Sequence, residues 1–566
     1  MSNNVVNLAA TSVRNYGKNT FRPKPFEHIW TCNTGDLIPG FCTLQINPGS
    51  TWKITTSILA RLNTSKYPTI SRGWVEYMWT YTPHFQVWDH WNELMGENTE
   101  SAWISPTTYS VPKISIPDGV TIQNGSLLDH FGWNTDITGA KLSAMKIRHY
   151  NWVCDQIARD QNIEAPFAPD TGDADIVYAA DGDHTVGGKP YQINRKADYF
   201  STALPEPYKG PDVLLPLGTT APIPITGEGK LYGSTVKLGT GNEPNPNAPI
   251  LFGLASGNIP SGGSTEIATG GSTGSATFMY NTGNDNTRIG GTVNPIYAKV
   301  LPGTLAAQLT EANAPNLFAV REAFTTLHIF ERDARSGTRA PEMLYARWGV
   351  EVDTLELGRP RILDMGRFPI AFEQVPQTSE TTETSEQGTL TAFGYTNNRS
   401  DEQTFSFKYA GCLMCLVAIR FEHKYQYGVP QEDMKFERFD WWHPEFAGLG
   451  DQPIYDFEIF ANKETLSRRS IFGYAERGSE YKNFPSLITG QVRSNYKQSM
   501  DYVHMADKYN SLPTLSPAWM KENPDNVDRT IFVSSKLADQ WLVDMVVEME
   551  ITDTIPLYSI PGIDRL

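Results

Sequence analysis

Only a handful of stretches in the 566-residue sequence place reactive residue types at useful spacings. Cys412-Leu-Met-Cys415 has the spacing of half a zinc site or of a redox pair, but no second pair follows it. On a strand, residues three apart point to opposite faces, so these thiols could not share a metal or close a disulfide. His84 and His90 are candidate metal ligands without a third ligand at a matching spacing, and their aromatic neighbours fit packing. Gly270-Gly-Ser-Thr-Gly274 spells the Gly-x-Ser-x-Gly of a nucleophile elbow, yet no strand precedes it and no helix follows, so composition explains it. Asp181-Gly-Asp-His184 offers carboxylates to calcium and reads as a solvated loop. Two basic groups remain. Arg14, Lys18, Arg22 and Lys24 all precede Glu27, the first acid, and form a basic arm able to touch DNA phosphates. Arg332, Arg335 and Arg339 stand among acids, where phosphate binding competes with a salt-bridged helix end or a subunit contact.

The rest of the chain adds no P-loop, no His-Glu-x-x-His and no credible triad, so the expectation is a non-enzyme with no cofactor and no metal. Paired carboxylates leave no sequence signature, which keeps a glycoside hydrolase or a carbohydrate-binding β-sandwich as the alternative. A net charge of −16 disfavours a dedicated nucleic-acid binder and suggests an acidic outer surface. Five irregularly spaced cysteines suit a reducing compartment. No apolar run approaches a membrane span, and the polar start Met1-Ser-Asn-Asn has no signal-peptide core, so the expectation is a soluble chain made in a cytoplasm without membrane insertion.

The 46 glycines and 38 prolines, with only 19% charged residues, favour strands and ordered loops, giving an all-β fold. Trp52, Ile54, Thr56, Ile58 and Ala60 mark one face of a strand, and Trp74 to Tyr81 a second. Tyr409 to Phe421 alternates as a long strand that is apolar on its opposite face too, suited to a sandwich interior. Val543 to Ile551 alternates with Asp544, Glu548 and Glu550, one face dry and one wet. Helical spacing predicts an amphipathic helix over Leu142 to Asp160 and another from Leu317 through Arg339. Glu373 to Gly388 reads as an acidic surface loop. Between Gly218 and about Asn294, Gly, Ser, Thr and Asn dominate and hydrophobic periodicity disappears. The run Asp198 to Gly218 leads into that insertion, and its four prolines impose an extended connector.

This run, with Ala203-Leu-Pro205, Pro207, Lys209-Gly-Pro211 and Leu215-Pro-Leu-Gly218, closely resembles a segment of the major capsid proteins of microviruses, small icosahedral single-stranded-DNA phages, and of their gokushovirus branch in particular. The resemblance recurs in order along the chain: Phe85, Val87, Trp88, Trp91 and Met95-Gly-Glu97; Arg148, Tyr150, Asn151 and Arg159-Asp-Gln-Asn162; Glu331-Arg-Asp-Ala-Arg335 with Gly337-Thr-Arg339 and Glu342. It continues through Phe439 to Gly450, Phe472 to Tyr481, Pro485 to Gly490, Ser511 to Leu515, Val527 to Arg529 and Leu557 to Gly562. The first thirty residues, the insertion and the acidic loop do not match.

The resemblance implies an eight-stranded antiparallel jelly-roll sandwich with very long loop insertions and a few short helices. Sixty copies would form a T=1 icosahedral shell around circular single-stranded DNA, as a virion assembled in a bacterial host cytoplasm. A small basic DNA-binding protein, an internal scaffolding protein and a DNA pilot protein would be partners. The organisation expected is a basic arm (1–30), a first part of the body (31–217), an insertion protruding at the threefold axes and contacting a host receptor (218–296), and a second part of the body (297–566). The motif residues implied to be structural or at interfaces are Trp88, Trp91, Arg159, Asp160, Pro205, Lys209, Gly210, Pro211, Arg332, Asp333, Arg335, Arg339, Tyr558, Pro561 and Gly562.

Overall fold

Alternation of apolar and polar side chains is realised as eleven body strands in a computed structural model. It describes residues 17–103, 105–167, 169–213, 317–376, 390–484 and 486–558, together with four short strands between 228 and 289. In chain order the body strands are Asn19–Phe21 (β1), Phe26–Cys32 (β2), Ile38–Ile46 (β3), Thr51–Leu62 (β4), Gly73–Pro83 (β5), Arg361–Pro369 (β6), Ala371–Pro376 (β7), Leu390–Arg399 (β8), Gln403–Ser406 (β9), Gly411–Phe421 (β10) and Trp541–Asp553 (β11). β11 pairs with β1 and β2 on one side and β4 on the other; β4 pairs in turn with β8 and β9, and β8 with β7. The second sheet runs β6–β5–β10–β3. All these pairings are antiparallel. The fold is thus mostly β, with few helices.

The two sheets share one core because the period-two pattern turns the same face of each inward. Trp52, Ile54, Ile58, Ala60 and Leu62 of β4 and Val543, Met545 and Val547 of β11 meet Val75, Trp79 and Tyr81 of β5 and Leu413, Cys415, Val417 and Ile419 of β10. The buried Trp79 also donates its indole N–H to Thr56 Oγ1 in the facing sheet at 3.0 Å, so the polar atom of this large ring is satisfied across the core.

β10 is buried on both faces. Its other face, with Cys412, Met414, Leu416 and Ala418, packs under a second layer that includes Ile147, Tyr150, Val153 and Cys154. That layer comes from the long connection between β5 and β6 and rests on the helix Met145–Val153 (α1). α1 is shorter than the sequence predicts. Lys141–Ser143 pairs as a strand with Lys113–Ser115, which also pairs parallel with Ile176–Val177, and the helix leaves through a single π-type turn, Cys154–Ala158. It is buried almost all round, because it lies between the sheet and the loop carrying Tyr178 and Tyr191. A third cluster joins Phe200 and Ala203 to Ile454, Ile459, Phe472 and Trp519, from the connection between β10 and β11.

The helix predicted from Leu317 through Arg339 is broken. Leu317–Ser336 (α2) ends at Gly337, whose φ of 93° lies in the left-handed region, and Ala340–Trp348 (α3) starts anew. The stretch read as an acidic loop from Glu373 begins inside β7; residues 377–389 lie outside the described residues. Tyr409, read as part of the long strand, precedes β10, and its carbonyl accepts from Tyr81 Oη at 2.7 Å.

The chain divides into two units, one of residues up to Gly210 with those from Ile329 on, the other Pro211–His328. Within the second, Glu228–Leu231 pairs with Ser234–Lys237 and Phe278–Thr282 with Asp285–Ile289 as antiparallel hairpins. Gly270-Gly-Ser-Thr-Gly274 lies outside the described residues.

Replacing Trp79 with Ala should lower the stability of the isolated chain by about 3–5 kcal/mol through cavity formation. Thr56→Val, which leaves the indole N–H unsatisfied, should cost about 1–3 kcal/mol. Urea unfolding followed by circular dichroism checks the order of the two effects, and an unchanged midpoint for Trp79→Ala would refute the cross-sheet core.

Candidate functional site

Three motifs far apart in the sequence meet at one junction. The π-type turn after α1 brings Asp155 and Arg159 together: Arg159 Nε donates to Asp155 Oδ1 at 3.0 Å and Nη1 to the Glu164 carbonyl at 2.7 Å, both side chains being buried. Asp160 Oδ1 then accepts the backbone N–H of Asn162 at 2.8 Å, an Asx turn that aims the next two side chains away. Gln161 accepts from Thr338 N at 3.0 Å and donates to Glu342 at 2.7 Å. Asn162 accepts from Lys209 Nζ at 3.0 Å, and the same ammonium donates to Thr338 Oγ1 at 3.0 Å. Arg339 closes the junction from the far side, donating to the carbonyls of Arg159 at 2.9 Å and Asp155 at 3.2 Å.

Local geometry explains the residue types. Glu342 accepts from Arg339 N at 3.2 Å, capping α3. A Cβ at Gly210 would lie 2.6 Å from the Phe330 ring, so only glycine lets the connector pass. Burial lowers the pKa of both Lys209 and Arg339, with Glu342 working against it. The cations here are turned inward onto carbonyls and amides. Asp333 is paired with Arg347 at 2.6 Å and Arg335 with Asp451 at 2.5 Å, while Arg332 is exposed.

The other predicted residues are placed singly. Trp88 is fully buried and donates to Asp173 at 2.8 Å, and the ring of Trp91 packs on His84 at 4.2 Å. Lys18 donates to the Gly49 carbonyl at 2.5 Å, and Arg22 pairs with Glu550 at 2.5 Å beside β11. Lys24 and Pro205 are exposed, as are Pro211 in its own unit and Tyr558; Arg14, Pro561 and Gly562 lie outside the described residues. The run from Asp198 is ordered as far as described: Leu204 and Tyr474 exchange two backbone hydrogen bonds at 2.8 Å, and Asp198 accepts from Tyr425 at 2.6 Å.

The metal-like motifs do not converge. His84 bonds to His149 at 2.8 Å and burial pushes it down to about 4, whereas the half-buried His90 bonds to Asp173. Asp183 caps the turn at Thr185, and His184 bonds to Asn151 at 2.8 Å. Cys412 faces Cys42, with sulfurs 3.7 Å apart, in the layer beneath α1, while Cys415 points into the sandwich core, and burial raises both thiols. Among the described residues no group of three or more His, Cys, Asp or Glu side chains could hold a metal ion.

Sequence reasoning missed a buried ionic network. Asp507 accepts from Arg195 at 2.7 Å, His423 at 3.0 Å and Asn526 at 2.6 Å, and His423 reaches Glu522 with its other nitrogen at 3.1 Å. The members come from four distant segments, so no local pattern announces them. Burial alone would neutralise His423, but the carboxylates of Asp507 and Glu522 overcome it and hold the imidazolium up to about 10. Burial likewise opposes the Asp507 charge, and His423 and Arg195 outweigh it, drawing the carboxyl far down.

The junction around Arg159 and the network around Asp507 are paired from within the chain, as in a protein whose task is to hold a shape. The profile of the family described as capsid protein (F protein) matches residues 20–563. The capsid protein VP1 of Spiroplasma virus 4 is 30% identical over 554 residues, covering 96% of this chain and 95% of that protein. VP1 of Bdellovibrio phage phiMH2K is 31% identical over 501 residues, with 88% and 87% covered. VP1 of Chlamydia phage 1 is 28% identical over 564 residues, with 94% and 93% covered. The chain therefore belongs to the F capsid-protein family, the major capsid proteins of microviruses. Its role is structural rather than enzymatic, its place is the virion, and it builds a shell of many copies. The glycoside-hydrolase alternative falls with that assignment.

The ionic network makes stability depend on pH. His423, raised from an ordinary 6.5 to about 10, contributes stability that is full below pH 6.5 and is lost as pH rises toward 10. Asp507 contributes above its ordinary 3.8 and loses that contribution as pH falls through its lowered folded value. The thermal midpoint of the isolated chain should fall between pH 6.5 and 10, and less steeply in His423→Gln. A wild-type slope in that variant would show that His423 does not carry the effect.

Proposed function

We propose that this chain is an eight-stranded jelly-roll tile, sixty copies of which close a T=1 icosahedral shell around circular single-stranded DNA. The strand order carries the reading. With β1, β7 and β9 set aside as extensions, the larger sheet runs β2–β11–β4–β8 and the smaller β3–β10–β5–β6. Taken in chain order, the strands alternate between sheets except at β5 to β6, which is the two-sheet winding of a double Greek key. The long connections between β5 and β6 and between β10 and β11 are then the outgrowths that shape the contacts of a tile. The motif residues serve this role as braces: Arg159, Asp160, Lys209, Gly210 and Arg339 fasten separate stretches of the first of these outgrowths to one another, and Trp88 and Trp91 pack the layer over the smaller sheet.

The basic arm is proposed to face the genome. Since Lys18 and Arg22 are tied to the body, Arg14 and the exposed Lys24 are the better candidates for phosphate contact. With an acidic chain, most genome charge is assigned to a separate small basic protein, with scaffolding and pilot proteins as further partners. The segment 218–296 is proposed to project at the threefold axes and meet a host receptor.

Negative-stain microscopy of purified particles should show uniform small icosahedral shells, and removal of residues 1–16 should leave the shells while lowering their DNA content. Free monomers under assembly conditions would refute the tile, and unchanged DNA content would refute the arm. Deleting 222–290 should preserve particles and abolish adsorption to host cells; undiminished adsorption would refute the receptor role.

A further inference from the structure

We propose that the aromatic face formed by Phe436, Phe439, Trp441, Trp442, Phe484 and Leu487 is a contact surface for a second copy of this chain. The proposal rests on the shell reading and assigns one of its interfaces.

Single exposed apolar side chains are ordinary on a protein surface, but contiguous patches above a few hundred Å² are not. Phe436 is 71% exposed, Phe484 88% and Leu487 74%, with Phe439 and both tryptophans also open to solvent. Together with Leu449, Ile471 and Tyr481 they present on the order of 1,000 Å² of apolar surface, scaled from whole aromatic side chains of roughly 150–250 Å². One partner of a standard interface contributes about 800 Å².

The part of the face around Tyr481 is braced. Lys435 Nζ donates to Tyr481 Oη at 2.9 Å and lies 4.2 Å over that ring and 5.8 Å from the Trp441 ring. The Trp442 N–H points at the same hydroxyl at 3.4 Å, and the Arg469 guanidinium lies 5.8 Å from the Phe436 ring. Aromatics held in place before contact lose little freedom on binding, which is the character of interface anchors.

Stacked aromatics beside cations could also receive the bases of single-stranded DNA. Charge decides against it. Residues 432–484 carry eleven acidic and seven basic side chains. Three of those cations are already paired, Lys435 with Glu480 at 3.4 Å, Arg468 with Glu464 at 3.1 Å and Lys482 with Glu476 at 2.7 Å. With the side chains of Asp451, Asp456 and Glu458 buried, the exposed charges nearly balance, and a face with no excess of positive charge gives phosphate little hold, whereas mixed charge around an aromatic centre suits another copy of the same protein.

The test places the photo-cross-linker p-benzoylphenylalanine at Phe436 or Phe484 and irradiates intact purified particles. Cross-linked dimers of this chain from both positions are expected, at a yield at least tenfold above the dilute free chain. Cross-links to DNA or to a different polypeptide, or none in intact particles, would overturn the proposal. If the unmodified chain forms no particles, the shell reading fails and takes this inference with it. If particles form and the cross-links go elsewhere, only this inference fails. In a second variant, Phe436→Asp with Phe484→Asp should cut particle yield at least tenfold while the free chain keeps its circular dichroism and thermal midpoint; wild-type yield would overturn the proposal.

Discussion

The strand β10, inside the smaller sheet, has no wet face, and the rest of the body is arranged around that constraint. β10 sends Leu413, Cys415, Val417 and Ile419 into the sandwich and Cys412, Met414, Leu416 and Ala418 into the layer beneath α1. One row of backbone hydrogen bonds is therefore the shared wall of two apolar cores. A wall of this kind obliges the connection after β5 to return over the sheet, because an uncovered apolar face would remain exposed to water. The larger sheet is under no such obligation. Its outer face keeps Asp544, Glu548 and Glu550 on β11, and it needs no second layer.

The long connections are not stabilised by apolar packing alone. At the junction of Arg159, Lys209 and Arg339, one buried and two half-buried cations are matched to carbonyls and carboxamides, and around Asp507 full charges face each other away from water. Burying a charge is costly unless its partner is in place, so such groups stabilise one arrangement over its near neighbours more than they stabilise folding as such. For segments with little regular structure this selectivity supplies what strand register supplies in the sandwich.

Where side chains alternate strictly, the sequence is a sufficient guide. Trp52 to Ala60 and Val543 to Ile551 lie on the faces their pattern predicts, and the opposed directions of Cys412 and Cys415 follow from the two-residue period. Helices were less legible. The stretch around Leu142 has helical spacing, yet strand pairing at Lys141–Ser143 wins the first residues, and burial on all sides removes the amphipathic contrast on which the pattern depends. Gly337 stops α2 by its backbone conformation although the charged pattern runs on to Arg339. The network of Arg195, His423, Asp507 and Glu522 had no signal at all, since partners chosen by tertiary geometry leave no spacing in the chain. The junction motifs were legible as wording without a hint that they touch.

β11 occupies the middle of the larger sheet, between β2 and β4, although every other strand of the body precedes it in the chain. During synthesis, β2 and β4 therefore wait for their common neighbour until after residue 541 has been made. Until then one sheet lacks its central strand, so the sandwich cannot close before β11 has been made. β11 thus joins the most distant strands of the sandwich, so the pairing that completes the larger sheet spans more of the sequence than any other and closes the body around a single late segment.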